Sequence, residues 1–262
     1  MMRHLTALLP CALASLINAG GEELAPPPSL TSSKCNLDPM LGSFGNFLVS
    51  DDADNDTPPT FATNGGICHD EMGFRVVMVA TDANIFSPYT TCNSEVFVGS
   101  DVMEVFMAPV DDLSDDPQYY YELDTSPSGA LWGGISNNTL GNSSVCIAEN
   151  DECTAGTLTC SGLADFAHGM TTTAQNLTRI NETEPWGWMV DLFVPWEIFA
   201  EKYQPKFNED TREVVYHEKW RMNFYRYSYP DGGRENYELS GWSPTHDPSF
   251  HVPSKFGRVS LV

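Results

Sequence analysis

Wherever apolar residues recur regularly in this chain they do so at a period of two, which predicts strands with one side in a core. Residues 73–81 (GFRVVMVAT) are apolar on both faces, as a central strand would be. Over 101–108, Met103, Val105 and Met107 point one way, and Glu104 stands among apolar neighbours on the other. Over 118–125, Tyr119, Tyr121 and Leu123 alternate with Tyr120, Glu122 and Asp124, and a tight turn then leads to a short strand with Trp132. Residues 186–196 put Trp188, Val190, Leu192 and Val194 on one side, and Pro195 opens a short helical turn. Near the carboxyl end Trp220, Met222 and Phe224 form an apolar face opposite Arg221, Asn223, Tyr225, Tyr227 and Tyr229. A turn at 230–233, a short strand ending in Trp242, a Pro-rich loop presenting Phe250 and a last strand over 256–262 complete the pattern. The fold class expected is all-β: an antiparallel two-sheet β-sandwich, jelly-roll or immunoglobulin-like, with a long Cys-rich insertion.

The remaining composition divides the chain. Residues 1–20 read as a signal peptide, with Arg3, an apolar stretch over 5–17 and small residues at Ala19, Gly20 and Gly21. Residues 21–40 are rich in Pro and Ser and read as a flexible leader. The domain then runs over 41–262, opening with an irregular strand at 41–49 and holding an insertion at about 135–183, where periodicity lapses. Residues 204–219 read as a polar connection. Setting Cys11 aside with the signal, the cysteines are Cys35, Cys68, Cys92, Cys146, Cys153 and Cys160, an even set that predicts disulfides in an exported chain. Sequons at Asn55, Asn137, Asn142, Asn176 and Asn181 fit a secreted glycoprotein. No further stretch is apolar enough to span a membrane.

Charge narrows the partners. A net charge of −23 with only 13 basic residues would repel nucleic acid and anionic lipid. The acidic run Asp51, Asp52, Asp54, Asp56 has the oxygen-rich look of a structural calcium site, without the Gly and closing Glu of a helix-loop-helix calcium loop. For catalysis, Glu104 and Glu122 are an unspecific carboxylate pair, no G-x-S-x-G elbow occurs and the six histidines are scattered, so no enzyme is predicted. What the tyrosine-rich face suits is an uncharged, hydroxyl-rich ligand. A sugar ring lying on an aromatic ring gains roughly 1–3 kcal/mol by buried area, and charged or amide groups strengthen the bonds to its hydroxyls.

The order of motifs carries a resemblance. D-V-M-E-V-F, Y-Y-Y-E-L with S-P-S-G, G-W-M-V-D-L-F-V-P-W-E-I-F, W-R-M-N-F-Y-R and W-S-P-T-H-D-P-S-F-H-V-P-S-K-F-G together resemble the family nine carbohydrate-binding modules of the DOMON-like superfamily. The resemblance covers roughly 41–262 outside the insertion. It implies a secreted, non-catalytic domain that binds glucan- or xylan-type polysaccharide or oligosaccharide, with structural calcium and a separate glycoside hydrolase as further expectations. It implies a sugar held between two rings. One position falls on Phe250, where better-known members carry Trp; the other falls near Val98, beside Phe97. The polar positions fall on Glu104 and Asn223, with Glu122, Asn236 and Asp247 further out; at Glu122 better-known members have a basic residue. Trp132, Arg221 and Tyr225 complete the candidate face. Two other readings stand beside this one: a haem-binding redox domain of the same superfamily using Met103, Met107 and a loop histidine, and an adhesion glycoprotein without an active sugar site.

Overall fold

The computed structural model describes residues 25–35, 42–52, 56–91, 94–138, 145–146, 170–179, 183–203, 206–208, 213–215, 217–232 and 235–262. The strands are β1 (Ser29–Lys34), β2 (Ser43–Phe44), β3 (Leu48–Val49), β4 (Thr63–His69), β5 (Gly73–Thr81), β6 (Val102–Pro109), β7 (Tyr119–Thr125) and β8 (Leu131–Asn137). They continue as β9 (Val145–Cys146), β10 (Thr171–Thr178), β11 (Pro185–Pro195), β12 (Lys206–Asn208), β13 (Glu213–Val215), β14 (Lys219–Ser228), β15 (Glu238–Gly241) and β16 (Gly257–Leu261). Among the described residues the helical turns are short 3-10 segments, Trp196–Glu201 and Pro253–Lys255. The chain is all-β.

One hydrogen-bonded path runs β10-β11-β5-β4-β1-β16-β14-β6-β7-β8-β9, with β15 and β3 added beside β14 and β2 beside β4. Its two wings face each other across the main core. Phe74 of β5 stands edge-on to Trp220 of β14, ring centres 4.8 Å apart, and Phe44 lies flat on Phe224 at 3.7 Å. The inward residues expected from alternation are all buried there: Met103, Val105, Met107, Trp188, Val190, Leu192, Val194, Trp220, Met222 and Phe224. Each large apolar side chain so buried contributes about 1.5–3 kcal/mol. Arg226 is the charged exception on that face, fully buried and 2.7 Å from the equally buried Asp82.

Three expectations change. Residues Ser29–Lys34, within the expected flexible leader, form β1, which pairs in parallel first with β16 and then with β4. It is β1 that joins the wings into one path, so the sheet is mixed rather than antiparallel throughout. SLTSSK offers no alternation to read, and its placement comes from backbone pairing with strands distant in sequence. The disulfide Cys35–Cys68 pins the end of this strand. Thr171–Thr178, inside the expected insertion, forms β10 and pairs with β11 over its whole length. Its face is only half-buried, which is why threonines and Gln175 serve where apolar residues were sought. The polar connection before β14 contains the hairpin β12–β13. Cys92, Cys153 and Cys160, the sequons at Asn55, Asn142 and Asn181, the expected signal peptide at 1–20 and most of 135–183 lie outside the described residues.

Candidate functional site

The register of β14, β6, β7 and β8 lays out the face turned away from the main core. Across these strands Tyr225 sits opposite Glu104, Glu104 opposite Asp124 and Asp124 opposite Trp132. In the adjacent row Asn223 sits opposite Phe106, Phe106 opposite Glu122 and Glu122 opposite Gly134. Gly134 matters for its lack of a side chain: a Cβ there would stand 3.1 Å from the Trp132 ring, which lies across it. Period-two alternation therefore brings Glu104, Glu122, Trp132, Arg221, Asn223 and Tyr225 to one face, as expected.

At one end of this face the polar groups are spoken for. Arg221 donates from Nε to Phe256 O at 2.9 Å, from Nη1 to Asp115 O at 2.9 Å, and from Nη2 to Pro253 O at 3.1 Å and Ser254 O at 2.9 Å. Burial lowers the pKa of this guanidinium, with Asp116 opposing the shift. Asn223 grips Ser243 at both ends, donating to its carbonyl at 2.7 Å and accepting from its N–H at 3.0 Å. The final loop is thereby folded down onto the sheet. Phe250, expected as an exposed stacking platform, is only 4% exposed. Its ring lies on Tyr225, centres 4.0 Å apart and nearly parallel, and Tyr225 Oη donates to Phe250 O. The open tyrosine row is corrected accordingly: Tyr225 and Tyr229 are buried, and Tyr225 occupies the place a sugar would take against Phe250. A motif rich in rings and prolines fits a loop that seals a second core of Phe106, Tyr120, Tyr225 and Phe256 as well as it fits a binding loop.

The other end is different. Ligand oxygens of Glu104, Glu122 and Asp124 all lie within 4.8 Å of one another, and all three residues are buried. Both oxygens of Asp124 lack a hydrogen-bond partner. Burial raises the pKa of all three carboxyl groups; Glu122 raises that of Glu104 further, and Glu104 and Glu122 that of Asp124. His251 is the basic side chain at hand, its Nε2 3.7 Å from Glu122 and its Nδ1 2.8 Å from Tyr120 Oη. Burial pushes its pKa down to about 4, so it sits there neutral at pH 7. The Trp132 indole N–H is also buried without a partner. Asp124 joins the site beside the expected Glu104 and Glu122; its signal is present in the sequence, because it alternates in step with Glu122.

Aromatic side chains border this acidic floor. Phe97, half-buried, stands edge-on to Trp132 at 5.0 Å, and Tyr89 and Tyr227 pack on the same small cluster. Tyr237, 56% exposed, lies 5.9 Å from Tyr227, whose pKa rises through burial and then through Glu104 and Asp124. Val98, at the second ring position, is exposed and aliphatic. Asn236 and Asp247 are surface residues with local partners, Asp231 and the Ser249 N–H. Asp52 and Asp56 of the acidic run are described, whereas Asp54 is not. Met103 and Met107 fill the main core, whereas His251 packs on Phe106 of the second one, so these three residues do not come together. Elsewhere a cavity of about 580 Å³ beside β4 and β5 is lined by Phe44, Asn46, Asn64, Val77 and Val79 among others, with no ionisable group.

No protein-family model and no curated protein matches the chain. Among solved structures, a candidate carbohydrate-binding protein from Bacteroides uniformis is similar at TM-score 0.59 and 15% identity, over 90% of this chain and 100% of that one. That likeness establishes a shared fold. Two structures of a family nine carbohydrate-binding module from Caldicellulosiruptor kristjanssonii are also similar, each at TM-score 0.48 and 10% identity over 89% of this chain. They cover 93% and 95% of those chains, which hold cellotriose and glucose respectively.

Proposed function

We propose that the chain is a secreted, non-catalytic carbohydrate-binding domain for glucan- or xylan-type glycans. The observation that carries this reading is the acidic floor with an aromatic rim on the β14-β6-β7-β8 face: buried acceptors in Glu104, Glu122 and Asp124, and rings from Phe97, Tyr227 and Tyr237 around them. Sugar C–H faces suit the rings, and sugar hydroxyls suit unpaired carboxylate oxygens. The platform moves from Phe250 to the rim. The fold shared with a solved protein described as carbohydrate-binding is in keeping with this reading.

The finer expectations belong to this proposal. A two-sheet sandwich is supported by the two apolar wings meeting in one core, and a Cys-rich insertion by the cysteines between β8 and β10. Export is supported by the signal-like residues 1–20, the Cys35–Cys68 disulfide and the exposed sequon at Asn176, which would make the chain a glycoprotein. No helix among the described residues is long and apolar enough to cross a membrane. A separate glycoside hydrolase acting on the same polysaccharide is the partner class this role implies.

The test is titration calorimetry with cello- and xylo-oligosaccharides, together with pull-down on insoluble cellulose and xylan. Tyr237→Ala should weaken binding about tenfold by loss of one stacked ring, and leave stability within about 0.5 kcal/mol because the residue is mostly exposed. Silence across all these glycans would sink the reading.

A further inference from the structure

Buried carboxylates must be paired, hydrogen-bonded, protonated or bound to a cation, because an isolated charge out of water costs too much. Among the described residues no Lys or Arg forms an ion pair with Glu104, Glu122 or Asp124. Arg226, the nearest buried guanidinium along β14, faces the other way and is committed to Asp82. Asp124 is fully buried, has neither oxygen hydrogen-bonded, and brings an oxygen within 4.8 Å of those of both glutamates. Two adjacent strands hold the three groups without any loop, since they project from neighbouring positions of β6 and β7.

We infer that Glu104, Glu122 and Asp124 form a binding site for one hard divalent cation of the calcium class. Calcium takes oxygen ligands at about 2.3–2.6 Å, so oxygens on opposite sides of one ion stand about 5 Å apart. Oxygens no more than 4.8 Å apart can therefore share it. An all-carboxylate donor set with no thiolate selects against soft metals. The ion would supply what Asp124 lacks, a partner for its buried oxygens. This site is distinct from the acidic run at 51–56, and it stands whether or not a glycan binds.

The experiment uses the full chain at physiological salt, so that loose counterions on an acidic surface are screened. Calcium is titrated calorimetrically, and terbium luminescence is excited through nearby tryptophan. One site is expected, with a calcium-dependent rise in Tm that a chelator reverses. Asp124→Asn, nearly isosteric and free of one repelling charge, should raise the Tm of the ion-free protein while weakening calcium binding at least tenfold; Glu122→Gln should do the same. Absence of calcium binding overturns the inference. So does binding that survives Asp124→Asn and Glu122→Gln but falls with Asp52→Asn, which would place the ion on the acidic run.

Discussion

The two ends of one sheet face contain similar residue types and reach opposite states. Around Arg221 and Asn223 the buried donors meet acceptors, most of them supplied by the last loop (Phe256 O, Pro253 O, Ser254 O and Ser243 O) and one by Asp115 O of the turn after β6. At Asp124 both buried carboxylate oxygens meet no donor. A polar side chain set among rings thus says little about binding until its hydrogen bonds are accounted for. Satisfied groups rigidify the fold, and unsatisfied ones are where a ligand can gain most.

The comparison breaks most visibly at Arg221. Arg221→Met would strip several buried carbonyls of a charged donor and should cost on the order of 4 kcal/mol in chemical denaturation. A small loss would mean that the loop holds without its clamp. Phe250→Ala should cost about 3 kcal/mol, because the ring is buried against Tyr225. If the variant instead kept its stability and lost only glycan binding, Phe250 would be a platform after all.

Asp101 sharpens the contrast, being a buried carboxylate that does have partners, the N–H groups of Phe86 and Tyr229. Burial still outweighs them and raises its pKa from 3.8 to about 6. The folded state then holds this proton more tightly than the unfolded chain. Its contribution favours folding below about pH 4 and is lost as pH rises through about 6, by at most about 3 kcal/mol. Asp101→Asn should flatten that part of the stability profile between pH 4 and 6.5; an unchanged slope would assign the proton elsewhere.

Much of the fold was legible because strand alternation is a local property. Residues two apart share a face wherever the strand goes, so the core residues of β6, β11 and β14 could be read directly, and so could the face that gathers Glu104, Glu122 and Asp124. What alternation left out was β1 and β10, whose few apolar residues carry no pattern and whose places come from backbone pairing with β16, β4 and β11. By itself, then, the sequence determined which side chains stand together on each face. Only the tertiary structure decided which of them meet partners. Asn223 finds Ser243, Arg221 finds Phe256 and Phe250 folds onto Tyr225 through contacts 20 to 35 residues apart, while Asp124 finds none. Hydrogen-bond satisfaction depends on where distant loops come to rest, and no local period encodes that.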